Sequence, residues 1–502
     1  MVTRRIDMNV SFGGEILERL SRMKLDSVEK AYPGFLCEPP EIFNSARHAY
    51  IVSSGHFMTN GVAPSRHQHN LRMAAPKLYW ICKNNFLISK LNEKIEKNFL
   101  ISIEQTEEGG TLTHSWPPVQ YREQQWPESE ATTDPLWSKR RRQANKGTYQ
   151  QAVVPHIAHI TTNLPSDIAS MAQTVNEDLA RFDAQYEGGA PFSAVLLRSE
   201  SSASSQIEHL TANARRIALA RLGDNTRRNA SLIARNTMAL EAALQLADDL
   251  TVNAMLEMHR ALLNDSDPKQ AGRLRKEPVW IGGHSPVSAM FVPPEHSTVS
   301  SSLEDLVEFM QRTDIPAIAQ AAIAHAQFET IHPFTDGNGR TGRALVSAIL
   351  RSRGTTQNFT VPLSSGLLTD TEQYFEALNA YRRGSIIPII EQFVAATRSS
   401  MANVQVLLND IETLRAEIYA TAQRKTKNLQ IVANLCVMEP AFTVGMVQER
   451  GVALSTAYKI LDRLVERNLL RTESKIGGQS VWSVRVLTDA LDAFAERANR
   501  RS

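Results

Sequence analysis

A mainly α-helical bundle, interrupted by one β-hairpin and followed by a small α+β unit, is the fold class that this sequence predicts. Three observations predict it. Between about Pro155 and Ser400, apolar residues return every three to four positions in stretches bounded by Pro, Gly, Asn and Asp. Residues 278–294, PVWIGGHSPVSAMFVPP, set two β-prone runs around a Gly/Ser/Pro centre and end in a double proline. Residues 427–485 hold three short helical patterns, then RTES, a turn at IGGQ, and VWSV.

The bulk numbers fit such an assembly. A chain of 502 residues is too long for one ordinary core. Its 42% apolar, 22% charged and 7% aromatic content is that of a soluble globular protein. The 55 basic and 53 acidic residues nearly cancel, so partner preference has to come from local patches. Cys37, Cys82 and Cys436 are far apart and match neither a disulfide framework nor a zinc spacing, which suits a reducing, cytoplasmic setting. No apolar run approaches the roughly 18–20 residues of a membrane helix, and the N-terminus lacks the apolar core of a signal peptide, so a membrane partner is not expected.

Taken in order, residues 1–110 remain unassigned and are expected to lie upstream of the functional protein. Their one helical candidate, LISKLNEKIEKNFL, reads as a solvated surface helix, and the pair His67 and His69 as surface residues without further ligands. Residues 111–150, with the basic run KRRR at 139–142, read as an arm or linker. Helical patterns follow at DIASMAQTVNEDLARFDAQ, SSASSQIEHLTANARRIALARL, NTMALEAALQLADDLTVNAMLEMHRALL and AIAQAAIAHAQFETIH. These divide into residues 151–235 and a core at 236–397, the latter containing the hairpin. A connecting helix at 398–424 leads to the C-terminal unit, 425–490.

The concentration of chemistry lies at 332–343, HPFTDGNGRTGR. Before it, Ile318, Ala321, Ala322, His325, Phe328 and Ile331 share a stripe; after it, Gly342, Leu345, Val346, Ile349 and Leu350 form a helical face. The loop therefore joins two buried helices, and the second begins at GNGR. A glycine turn feeding a helix N-terminus offers unpaired N–H groups and the positive end of the helix dipole, a combination that binds phosphate. Gly337 and Gly339 allow the bend and the close approach. Arg340 and Arg343 add two permanent charges in fork geometry. Asp336 alone would repel phosphate, so it argues for a bridging Mg²⁺. His332, as a neutral imidazole, is placed to take a proton from an incoming hydroxyl. A satisfied polar histidine and a mere connecting turn are the plainer alternative.

This segment resembles the signature of the Fic family, H-x-F-x-D/E-G-N-G-R-x-x-R, and every specified position matches. The resemblance implies transfer of AMP from ATP to a hydroxyl of a target protein. It makes His332 the general base and Asp336 the Mg²⁺ ligand. Asn338, with the backbone around Gly337 and Gly339, would hold the α-phosphate, Arg340 and Arg343 the outer phosphates, and Phe334 would anchor the loop. The hairpin is similar to the family's flap, where Val279, Trp280, Ile281, Gly282 and Gly283 would register a target segment by main-chain pairing; a hairpin that only covers core is the alternative.

Upstream, SSQIEH at 204–209 resembles an inhibitory-helix motif, S/T-x-x-x-E-G/N, with Ser204 and Glu208 matching and His209 departing. The resemblance implies that Glu208 pairs with Arg343 and holds the enzyme off. QYFEALNAYRRG at 373–384 resembles the adenine-side region, which would put Tyr374 and Phe375 beside the base; core packing explains them equally well. At the C-terminus the element order is that of a winged helix-turn-helix, with Thr456, Lys459 and Arg463 exposed on the recognition helix. From Arg424 onward, 13 Lys/Arg against 8 Asp/Glu leave +5, and −3 for the remainder of the chain. DNA, another protein and a second copy are all open as its partner. A DNA-binding regulator that uses the loop to sense nucleotide is the competing function.

Overall fold

The computed structural model describes residues 116–127, 146–186 and 190–499, all within one unit, Leu112–Ser502. The expectations for residues 1–110, for KRRR, and for Cys37 and Cys82 lie outside the described residues. Helices dominate, with two small sheets.

The first sheet stands where the sequence suggested an arm. Strand β1 (Gln120–Trp126) pairs antiparallel with β2 (Gly147–Val153), from Gln120 opposite Val153 to Trp126 opposite Gly147. The boundary placed between residues 150 and 151 thus cuts through a strand. The helical body follows: α1 (Ser166–Ala184), α2 (Ala190–Ile207), α3 (Ala214–Arg221), α4 (Arg228–Gln245) and α5 (Val252–Leu263). Two stretches that read as continuous are each split. The first breaks after α2, where His209 turns left-handed at φ 60° and Asn213 caps α3 by accepting from Arg216 N–H. The second breaks before Thr251, whose side chain caps α5.

The centre is α7 (Ala317–Ile331), preceded by α6 (Val299–Met310) and followed by α8 (Asn338–Ser352). Its 15 residues are all buried, because small and apolar side chains cover every face and neighbours surround it. Those neighbours are α1, α6, α8 and α11 (Ile387–Ala420). Between α8 and α11 lie α9 (Leu363–Leu367) and α10 (Thr371–Arg382). The expected connecting helix at 398–424 is the second half of α11, which crosses the proposed boundary without a break.

The hairpin at 278–294 is reduced to one bridge, Ile281 opposite Phe291. Gly282 and Gly283 take positive φ and a 3₁₀ turn fills Pro286–Ser288, so a regular ladder cannot propagate. Beyond α11 come α12 (Lys427–Met438), β3 (Ala441–Thr443), α13 (Val444–Glu449), α14 (Leu454–Glu466), β4 (Leu470–Ile476), β5 (Gln479–Val484) and α15 (Arg485–Asn499). The sheet order is β3-β5-β4, all antiparallel. The boundary at residue 490 falls inside α15, which packs back on α11 and α2. Among the described residues, no helix is long and apolar enough to cross a membrane.

Candidate active site

Helix α7 ends in a strained residue. His332 adopts φ 50° and ψ 62°, and its N–H still bonds Phe328 O at 2.9 Å. The conformation is held from outside: Arg275 Nε donates to His332 O (2.8 Å), a terminal nitrogen of the same guanidinium donates to Pro294 O (2.5 Å), and Arg275 N–H donates to Pro333 O (3.0 Å). One buried arginine thus ties the 332–343 loop to the end of the 278–294 segment, and burial lowers it to about 10.

The loop is then pinned from below. Phe334 is fully buried and stacks on His259 with ring centres 3.7 Å apart and planes 1° apart. His259 Nδ1 accepts from Gly272 N–H (3.0 Å), so the proton sits on Nε2, which donates to Asp336 O (3.1 Å). Burial holds this imidazole neutral, down to about 4. Asn338 clamps the loop on itself: Oδ1 accepts from Phe334 N–H (2.9 Å) and Nδ2 donates to Phe334 O (2.8 Å). Its side chain thus braces the loop with one amide N–H and one oxygen lone pair.

Gly337 takes the left-handed turn at φ 78°, and α8 starts at Asn338. The first N–H groups of that helix point out of it unpaired by the helix itself. What stands before them is a carboxylate. A Cβ at Gly339 would lie 2.0 Å from Glu208 Oε1, so glycine is required for this approach. Glu208 Oε1 also accepts from Arg343 (2.8 Å), whose guanidinium is buried, its side chain 3% exposed. Arg343 Nε donates to Ser204 Oγ (2.9 Å) and a terminal nitrogen to Ser204 O (2.8 Å). Burial works to raise the Glu208 carboxyl, but the charge and hydrogen bond of Arg343, with Arg340 and His332 nearby, outweigh it and hold the group ionised below its ordinary range. Arg340 is buried as well and leans on Asp336 at 3.3 Å, while Asp336 itself is 74% exposed.

His332, Asp336, Gly337, Gly339, Arg340, Arg343, Ser204 and Glu208 therefore share one place. Tyr374 does not join them on the open side. It is buried behind Arg343 with its hydroxyl 2.7 Å from His325 Nε2, so it has no free face for a base; Phe375 beside it is 49% exposed. Val279, Trp280 and Ile281 are half-buried, and Trp280 packs edge-on against Trp126 of β1 at 6.0 Å. Sequence reasoning missed Arg275, His259 and Glu329. Single polar residues in helical or loop context carry no motif of their own.

Fold and site together define a helical protein whose central helix–loop–helix sets a glycine-rich helix start against an internal carboxylate. The chain carries a Fic/DOC family domain: residues 249–350 match that family's model. It is 33% identical over 181 residues to the protein adenylyltransferase fic-1 of Caenorhabditis elegans, covering 36% of this chain and 32% of that protein. It is 33% identical over 155 residues to the protein adenylyltransferase Fic of Nematostella vectensis, covering 30% and 33%. The matches span about a third of the length of these curated relatives. A Fic family protein from Desulfovibrio desulfuricans overlays with a TM-score of 0.41 at 18% identity, covering 64% of this chain and 97% of that one. The likeness to that family is thus located at residues 249–350.

Proposed function

We propose that this protein is an adenylyltransferase that moves AMP from ATP to a Ser, Thr or Tyr hydroxyl of a target protein, and that Glu208 holds it off. The observation that carries the reading is the Glu208 carboxylate lodged against Gly339 and bonded to Arg343, a stand-in anion at the place a polyphosphate would take. The relatives named protein adenylyltransferase support the same chemistry. When Glu208 leaves, Arg343 and Arg340 receive phosphate oxygens and the first N–H groups of α8 complete the cradle. His332, neutral because burial and the nearby Arg382 and Arg275 push it down to about 4, takes the target hydroxyl's proton. Arg343 and the helix start then stabilise the charge that grows on the phosphate oxygens.

Asp336 fits a Mg²⁺ ion: its carboxylate is exposed beside the helix start, where Oδ1 accepts from Gly337 N–H (2.7 Å) and Oδ2 has only a loose contact with Arg340 (3.3 Å). Among the described residues no group of three or more potential ligands exists. An ion there would be held by this one carboxylate, substrate oxygens and water. When bound, it would neutralise phosphate charge. A cytoplasmic setting suits the reading.

The test uses [α-³²P]ATP. Label should appear on target protein with the Glu208→Gly variant and fall about 10²-fold or more when His332→Ala is added. Label from [γ-³²P]ATP instead indicates phosphoryl transfer and defeats the reading.

A second reading rests on α14, which exposes Ser455, Lys459 and Arg463, with Thr456 half-buried. With the β4–β5 hairpin as wing, this unit reads as a winged helix-turn-helix for DNA. Asp462 and Glu466 are exposed on the same helix and temper it. Anisotropy with the full chain and duplex DNA decides: affinity that does not fall with salt, or no binding, removes it.

A further inference from the structure

Behind the helix start lies a pocket of buried polar atoms with nothing to bond. Glu329 sits one turn before His332 on α7, with its side chain 9% exposed. Among the described residues, Glu329 Oε1, His332 Nδ1 and Arg382 Nε have no partner in hydrogen-bonding geometry, the Glu329 main-chain carbonyl lying near the imidazole without closing a bond. Yet Glu329 Oε2 and His332 Nδ1 stand 3.8 Å apart. Leaving a buried donor or acceptor unpaired costs about 1–3 kcal/mol each, so a small rotation that closes this gap is favoured. Helix α8 seals the place: a Cβ at Gly342 would stand 2.9 Å from the Phe328 ring and 3.2 Å from Glu329 Oε1.

Resting on the adenylyltransferase reading, we propose that Glu329 is the positioning residue of His332: its carboxylate receives the Nδ1–H, leaves Nε2 bare toward the site, and balances the imidazolium formed during transfer. In the step, the target O–H bond breaks and its proton goes to Nε2. The hydroxyl oxygen bonds the α-phosphorus as the bond to pyrophosphate breaks. The extra proton is shared by the carboxylate and the imidazole and later returns to water.

The surroundings explain why a partner is needed. Arg275 from the segment before the hairpin, Arg382 from α10, the Glu329 main-chain carbonyl and Glu208 after α2 act on the imidazole, while Arg343 from α8, Arg382 and Tyr374 from α10 and Glu208 act on the Glu329 carboxyl. Burial with two of these cations holds the imidazole near 4 before the gap to the Glu329 carboxylate closes, too weak a base for a task at neutral pH. Burial raises the Glu329 carboxyl to about 7, so the two groups act as one base that is ready near neutrality.

The experiment compares Glu208→Gly with Glu208→Gly/Glu329→Gln. Turnover at neutral pH should fall about tenfold or more with KM for ATP unchanged, since misaligned general bases forfeit factors of this size. The acid limb of kcat/KM should move to lower pH, because the imidazole then titrates alone. An unmoved limb, whatever the rate, overturns the proposal, since lost packing alone would not shift it. Histidine NMR gives a second measurement that needs no turnover. The His332 ring signals should shift through the window in which Glu329 ionises, and this shift should vanish in Glu329→Gln; its persistence also overturns the proposal. Absence of AMP transfer in Glu208→Gly itself defeats the adenylyltransferase reading, and the NMR titration still decides whether the two groups are coupled.

Discussion

Glu208 and Glu329 approach the same guanidinium from opposite sides and end in opposite states. In front, Glu208 is 41% exposed, bonds Arg343 directly and stays ionised below the usual carboxylate range. Behind, Glu329 feels Arg343 without bonding it, and burial raises its carboxyl to about 7. A cation alone therefore does not keep a buried carboxylate charged; a hydrogen bond and some water do. The same contrast separates a carboxylate that can leave from one that cannot. Glu208 hangs at the end of α2, just before the left-handed His209, whereas Glu329 is enclosed in the middle of the fold.

The largest test of this contrast is the pH dependence of stability. A carboxyl raised from 4.5 to about 7 keeps its proton in the folded state after the unfolded chain has lost it. Folding then takes up a proton across that window, so stability falls as pH rises from 4.5 to about 7 and levels beyond. Glu200, buried against Ser364, is raised likewise to about 7. Glu329→Gln should therefore gain on wild type with rising pH, by about 3 kcal/mol in all, measured by urea unfolding on either side of the window. An equal difference at both ends would mean that the Glu329 carboxyl titrates alike in the folded and unfolded chains. Glu208 behaves oppositely. Its contribution is present above the ordinary glutamate value and is lost only as pH falls through its depressed folded value, so the Glu208–Arg343 pair persists at neutral pH.

A smaller effect is expected in front. Glu208→Gly leaves a buried Arg343 without an anion, at a cost of about 2 kcal/mol, between an exposed pair and a fully buried one. ATP with Mg²⁺ should then return that stability, so thermal unfolding of the variant should rise by several degrees while wild type barely moves. Equal shifts in both proteins would show that Glu208 does not compete with the nucleotide.

What the sequence made legible follows the same division. The front of the site could be read because its residues sit at fixed spacing on one loop and one helix start, where glycines and charges have no packing reason to be. Glu208 needed the motif resemblance, because 135 residues separate it from Arg343. The back was illegible. In a helix buried on every face, apolar periodicity cannot distinguish Glu329 or His325 from their neighbours, and Tyr374 looked like a base platform until burial placed it against His325. The tie between the Asn338 amide and Phe334 was hidden for a different reason, since spacing along a loop does not show which way an amide turns. The β1–β2 ribbon was lost because its strands are mostly polar and exposed, with little alternation to read.

The finest test concerns how firmly the front carboxylate is seated. Ser204 helps to orient Arg343 by accepting from Nε, while its carbonyl accepts from a terminal nitrogen. Ser204→Ala removes only the first of these, and Glu208 and the carbonyl remain. Loss of one hydrogen bond to a charged group, partly recovered by relaxation, is about 1 kcal/mol, which converts to about fivefold more basal label from [α-³²P]ATP. If label rises as far as in Glu208→Gly, the serine and not the carboxylate is the latch. If it does not rise, Arg343 is oriented by α8 alone, and Glu208 is held only by its charge.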